Sequence, residues 1–162
     1  MSGLRGKILL AVAAIIVIVA GIVGGINGFR YWDDRQSEQS RAEAVDAADR
    51  TVTAMFTYDF KTVDTELPKA ADQLSPSFRD DYLKLIKQAI APGAKEKQLT
   101  VKATTEASGV VSADRSRAVV LMFLNQVTTS QESPQGTSTG SRVRVNLDKS
   151  DDHWLVSQVT PI

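Results

Sequence analysis

The sequence predicts an α+β domain carried behind a single N-terminal transmembrane helix. Three observations carry that prediction. A charge-free apolar run stands near the N-terminus. Apolar residues then recur at helical spacing to about residue 90. From residue 99 onward they alternate with the period of a strand. Helices first and antiparallel strands second place about three helices on one face of a curved sheet of about four strands.

The apolar run covers Ile8–Ile26 and contains no charged or polar side chain. At about 1.5 Å per residue it reaches roughly 28 Å, close to the roughly 30 Å hydrocarbon core of a bilayer. A cleaved signal peptide is the competing reading, but the run is longer than the usual apolar region and no Ala-x-Ala stands at its end. Residues 1–7 then form a short cytoplasmic tail, 8–28 the transmembrane helix, 29–39 a juxtamembrane segment and 40–162 the soluble α+β domain. Phe29, Tyr31 and Trp32 cluster around Arg30 as an interfacial aromatic belt does. Arg5 and Lys7 precede the span, whereas Arg30, Arg35 and Arg41 follow it. The positive charges alone therefore leave its direction open, and a cytoplasmic N-terminus with the domain outside the cytoplasm is the favoured orientation. Gly21 and Gly25 form one G-x-x-x-G pair and Gly24 and Gly28 another. These are candidate helix-packing residues, because small side chains let two backbones approach in lipid; the alternative is that glycine is simply common in such helices.

The next segment, about Ser37 to Tyr58, carries Ala42, Val45, Ala48, Val52, Met55 and Phe56 at spacings of three and four, an amphipathic docking helix. Thr62 to Leu74 reads as a shorter helix that contains Pro68. Ser75 and Pro76 are a natural N-cap and first helical residue. Phe78, Tyr82, Leu85, Ile86, Ala89 and Ile90 follow on one face, and Pro92-Gly93 is expected to end that helix.

Leu99, Val101, Ala103 and Thr105 alternate with Thr100, Lys102, Thr104 and Glu106 in a first strand. Ala118 to Thr129 is apolar on both faces at its centre and is expected to be the central strand. Ser130–Gly140, rich in Ser, Thr and Gln, reads as a loop. Val143, Val145 and Leu147, then Trp154 and Val156, mark two further strands.

Composition excludes several classes of chemistry. Arg5, Lys7 and Arg30 are the only charges in the first thirty residues. Setting them aside leaves 16 basic against 19 acidic side chains, a net charge of −3, which is a poor match to nucleic acid. There is no cysteine and one histidine, His153, so neither a zinc site nor a cofactor is expected. Asp148, Asp151 and Asp152 read as solvated turn acids. No phosphate-binding glycine loop occurs, and no catalytic set is assembled. Asp59, directly after the docking helix, is either a carboxylate at a pocket mouth or an acid that ends the helix. Asn125 and Gln126 interrupt the central strand; facing inward they would need partners and would line a polar-tipped cavity. Tyr58, Asp59, Gln126 and Trp154 are the candidate pocket or interaction residues, although Trp154 also suits the core.

Tyr58-Asp59-Phe60, Leu74-Ser75-x-x-Phe78-x-x-x-Tyr82, Ala118 through Gln126, Arg142-Val143-Arg144-Val145-Asn146-Leu147 and Trp154-Leu155-Val156-x-x-Val159-x-Pro161 together resemble the Mce-associated membrane proteins of mycobacteria and their relatives. The resemblance implies a cone-shaped domain similar to nuclear transport factor 2-like folds. It also implies an accessory, non-enzymatic role beside Mce complexes that carry lipids or sterols across the envelope, with transporter subunits and the bilayer as partners. Three other roles are compatible with such a domain: a lipid-binding module using the cone cavity, an isomerase or dehydratase with Asp59 as its acid–base group, and a secretion-system scaffold subunit.

Overall fold

The computed structural model describes residues 38–162. The predicted membrane helix, its aromatic belt and Gly21, Gly24, Gly25 and Gly28 lie outside the described residues. Among the described residues no helix is long and apolar enough to cross a membrane.

The first described helix, α1, occupies residues 38–56. It buries Ala44, Ala47, Ala48, Val52 and Met55, while Ala42, assigned to the stripe from sequence, is exposed. The buried face is thus rotated from the expected one and admits Ser40 and Thr51. The helix also stops before Tyr58. Tyr58–Asp59 form a short strand, β1, whose backbone pairs with Val101 and Thr100. Thr57 reinforces this exit by accepting a hydrogen bond from the Ala103 amide at 3.1 Å.

Helix α2 (Val63–Ala70) passes into a single 3₁₀ turn (Ala71–Gln73). Ser75 then occupies the N-cap of α3 (Pro76–Leu85) with Pro76 just inside, as expected, but its hydroxyl makes no capping bond. Its amide instead donates to the Val156 carbonyl at 2.9 Å, and Leu74 bridges Val156, so the start of α3 is stitched to the last strand.

Contrary to the sequence expectation, Pro92 does not end the helical run. Residues Ile86–Ile90 widen into a π turn, and α4 (Ala91–Lys97) continues through Pro92 and Gly93. A proline lacks an amide proton, and its ring clashes with the carbonyl four residues earlier. The π turn shifts the local ladder, the Ala91 amide reaching back to Ile86, and so makes room for the ring. The run closes at Gln98, which adopts the left-handed conformation (φ 49°, ψ 50°) while the amides of Gln98 and Leu99 return to Lys95 and Ala94. This closure normally uses glycine. Gln98→Gly is therefore expected to stabilise the domain by about 0.5–1 kcal/mol in a urea titration, by removing Cβ strain. A loss of stability would contradict that account.

The sheet has five strands in the order β1-β2-β3-β4-β5, one more than predicted because of the two-residue β1. β2 spans Thr100–Ala113, β3 Arg117–Thr129, β4 Thr137–Ser150 and β5 His153–Pro161, each antiparallel to its neighbour. β3 is central, as its composition suggested. Asp151 and Asp152 both take positive φ in the two-residue β4–β5 turn, the geometry that matches strand twist. Register shifts between Thr105 and Ala107, between Val110 and Ser112, and after Asn146 bend the ladder and curl the sheet. The core lies between the helices and one sheet face. Val52, Val63, Leu67, Val120, Met122, Leu124, Val145, Leu147 and Val156 are its largest fully buried side chains.

Candidate functional site

At one end of this sandwich the apolar surfaces do not meet. The end of α1, the α3 helix with its π turn, and the ends of β3 and β5 enclose a cavity of about 460 Å³. Met55, Phe56, Phe78, Leu85, Ile90 and Val159 supply most of its wall. Leu85 at the mouth is 51% exposed, so the α3 stripe is wider than the core it covers.

Few polar groups enter this space. The Tyr82 hydroxyl donates to the Met55 carbonyl at 3.3 Å, and burial pushes its phenol pKa well up. Tyr58 is half-buried and likewise shifted upward by desolvation, so its phenol is a neutral O–H group at physiological pH. Gln126 lies two residues beyond Leu124 on the helix-facing side of β3. Its Nε2 donates to Ser141 Oγ at 3.1 Å, leaving the amide carbonyl as an acceptor. Asp81 stands at the rim, 3.8 Å from Lys84. An apolar wall with a few neutral hydrogen-bonding groups suits an apolar body with one polar end. A separate depression between α2 and α4 is bridged by the Lys95–Asp64 ion pair.

The four candidate residues therefore separate. Tyr58 and Gln126 share the cavity wall. Asp59 lies outside it: its carboxylate accepts from the Lys61 amide at 2.8 Å and the Thr100 hydroxyl at 2.7 Å, tying β1 to β2. Trp154 is in the core beneath Lys149, whose ammonium lies 5.5 Å from the ring centroid. Asn125 points to the opposite sheet face and accepts from Ser138 at 2.6 Å. Phe78, Tyr82, Leu85 and Ile90 were legible as one helix face, but nothing in the sequence distinguishes a face that fills a core from one that lines a void.

The two hydrogen bonds hold the Asp59 carboxyl below its ordinary value of 3.8. A lowered folded-state pKa means that Asp59 contributes stability above the unfolded value, and that this contribution is lost as pH falls through the folded one. Stability of Asp59→Ala is thus expected to fall less steeply than wild type between about pH 4 and pH 2. Equal slopes in acid unfolding would show that the two bonds carry no linkage.

The described fold is an α+β domain with a curled antiparallel sheet and three helical runs, similar to the fold of CagV, a VirB8 homolog from Helicobacter pylori, at 12% identity and a TM-score of 0.58 over 74% of this chain and 96% of that one. The periplasmic fragment of TraM matches it with a TM-score of 0.62 at 11% identity, over 74% of this chain and 95% of that one. An IcmL-like type IV secretion system protein from Legionella pneumophila matches with a TM-score of 0.59 at 19% identity, over 75% and 93%. Residues 7–161 match the model of the Rv1363c/MT1408-like family, and the chain belongs to that family. Among its relatives, a Mycobacterium tuberculosis protein named outer membrane protein Rv1973 is 38% identical over 157 residues, covering 90% of this chain and 97% of the relative.

Proposed function

We propose that this chain is a non-enzymatic, membrane-anchored accessory subunit of an envelope transport assembly, with an Mce-type lipid or sterol transporter as its partner. The observation that carries this reading is the fold. Its similarity extends over nearly all of the TraM periplasmic fragment and of the IcmL-like protein, a component of a secretion system. Further support comes from a relative named for the outer membrane, and from the charge-free run Ile8–Ile26, long enough to tether the domain. The Mce assignment rests on the motif order from Tyr58-Asp59-Phe60 to Trp154-Leu155-Val156. The same fold supports a secretion-type scaffold as the nearest alternative partner class.

A tagged full-length chain, purified in mild detergent, is expected to retain Mce-type transporter subunits through washing. Recovery of secretion components instead would move the role to the alternative assembly, and recovery of the chain without partners in several detergents would overturn the proposal.

The cavity favours a second reading, in which the domain holds a lipid. Its 460 Å³ and apolar wall fit part of an acyl or ring system, with Tyr58 and Gln126 at the polar end. Solvent extraction of the purified chain and mass spectrometry test this reading. Stoichiometric lipid supports it, and lipid-free protein under native purification counts against it.

A further inference from the structure

The sheet face turned away from the helices differs from the rest of the surface. Along its central strand, Val119, Leu121, Phe123 and Val127 share the outward parity, and Phe123 and Val127 are 42% and 39% exposed. Single exposed apolar side chains are ordinary, whereas a line of them marks a surface that meets something apolar. Cations flank this line. Lys102 stands beside Val127 in the strand register, Arg142 beside Phe123 and Arg144 beside Leu121. None of the three forms an ion pair with a described residue. Of the acids on this face, Asp148 lies opposite Arg117 in the register. Glu106 stands at the first bulge, in a shallow groove with Phe123 and Arg142.

Charge is thus segregated. Setting aside Arg5, Lys7, Arg30, Arg35, Asp33 and Asp34 leaves residues 38–162 with 15 basic against 17 acidic side chains, a net charge of −2. The outer strand face runs the other way, with Lys102, Arg117, Arg142 and Arg144 against Glu106 and Asp148. A cationic, apolar-centred face on an acidic domain complements an anionic lipid surface. Its shape suits the same occupant. The register shifts curl the sheet around its helices, so the outside meets a plane along the middle strand, where the apolar line lies. Neighbours on one face stand about 7 Å apart along a strand and about 5 Å across it, so the long side chains reach headgroups beside the line. Only residues 27–37 separate the apolar run Ile8–Ile26 from α1, at most about 40 Å of chain. On the anchored reading proposed above, on which this inference rests, that tether keeps the face at high effective concentration beside lipid.

We propose that this outer sheet face docks on the headgroups of an anionic membrane. The Val119–Leu121–Phe123 line enters the interface, and Lys102, Arg142 and Arg144 bind phosphate oxygens on either side of it.

The absence of cysteine from the chain lets a single label report on one face at a time. Gly109→Cys lies on the outer face beside Leu121, with open space for a side chain, and Lys87→Cys lies on the helical side. Each full-length variant is labelled with an environment-sensitive dye and placed in nanodiscs containing lipid with a headgroup nitroxide. The discs are phosphatidylcholine alone or mixed with phosphatidylglycerol. Quenching at Gly109→Cys and not at Lys87→Cys is expected in the anionic discs, and its loss at about 1 M salt, where the screening length falls to roughly 3 Å. Each cation near an anionic surface favours the docked state about fivefold, so Arg142→Gln with Arg144→Gln is expected to lower the docked-to-free ratio at least about tenfold. Three results would overturn the proposal: equal quenching at both positions, quenching indifferent to phosphatidylglycerol and salt, or a Gly109→Cys dye shielded from water without contact to lipid, as a second copy on this face would shield it. Failure of the chain to stay with the discs would overturn the anchored reading alone. Quenching by added vesicles of the same two compositions then decides this one.

Discussion

Leu67→Ala is expected to destabilise the domain by about 3 kcal/mol, lowering its melting temperature by roughly 10 °C. The reason lies in how little holds α2 in place. It has eight residues, too few to persist alone, and one of them is Pro68. Only Val63, Leu67 and Ala70 are buried, and Leu67 is the largest of the three, with no exposed surface. Truncation removes the transfer energy of three carbons and leaves a void that rigid neighbours fill incompletely. Leu85→Ala, at a residue half in solvent, is the matched control and is expected to cost less than about 1 kcal/mol. Urea titrations of both variants measure the difference. Equal losses would mean that α2 is held by something other than its buried face.

Val159→Trp is expected to weaken binding of an apolar fluorescent probe at least about tenfold while changing stability by less than about 1 kcal/mol. Val159 pairs with Val145 in the β4–β5 ladder and forms part of the cavity wall. An indole is well tolerated in a strand, and the added rings have an adjacent empty volume to enter. Filling that volume removes the site without disturbing the packed core. A variant that binds the probe as tightly as wild type would place the probe elsewhere and remove the cavity from consideration.

Much of the fold was legible because parity survives in strands of uniform pairing. Val143, Val145 and Leu147 face inward as their alternation predicts, and Gln126 shares the inward parity of Leu124. The extension of β2 past Glu106 was not legible. Two register shifts break its alternation, and Gly109 with Ser108 and Ser112 lowers its apparent strand character. Pro92 misled for a related reason: a local rule about proline holds for an α-helix, and the preceding π turn is invisible to periodicity. Tyr58 and Asp59 were placed at a helix end because their partners, Val101 and Thr100, lie some forty residues away. The cavity was half legible. Its polar members stood out as anomalies in apolar surroundings, whereas its apolar wall looked like core.

The chain order of the elements has a consequence for how the domain is delivered. Every apolar helix face in α1 to α4 emerges before the sheet that covers it, and the strands follow as successive hairpins. Their connecting turns are short, so each closure costs little entropy once both strands are available. The last strand contributes Trp154 and Val156 to the core and receives the Ser75 amide at the start of α3. The core that the helices share with the sheet is therefore complete only once the nine-residue β5 has docked.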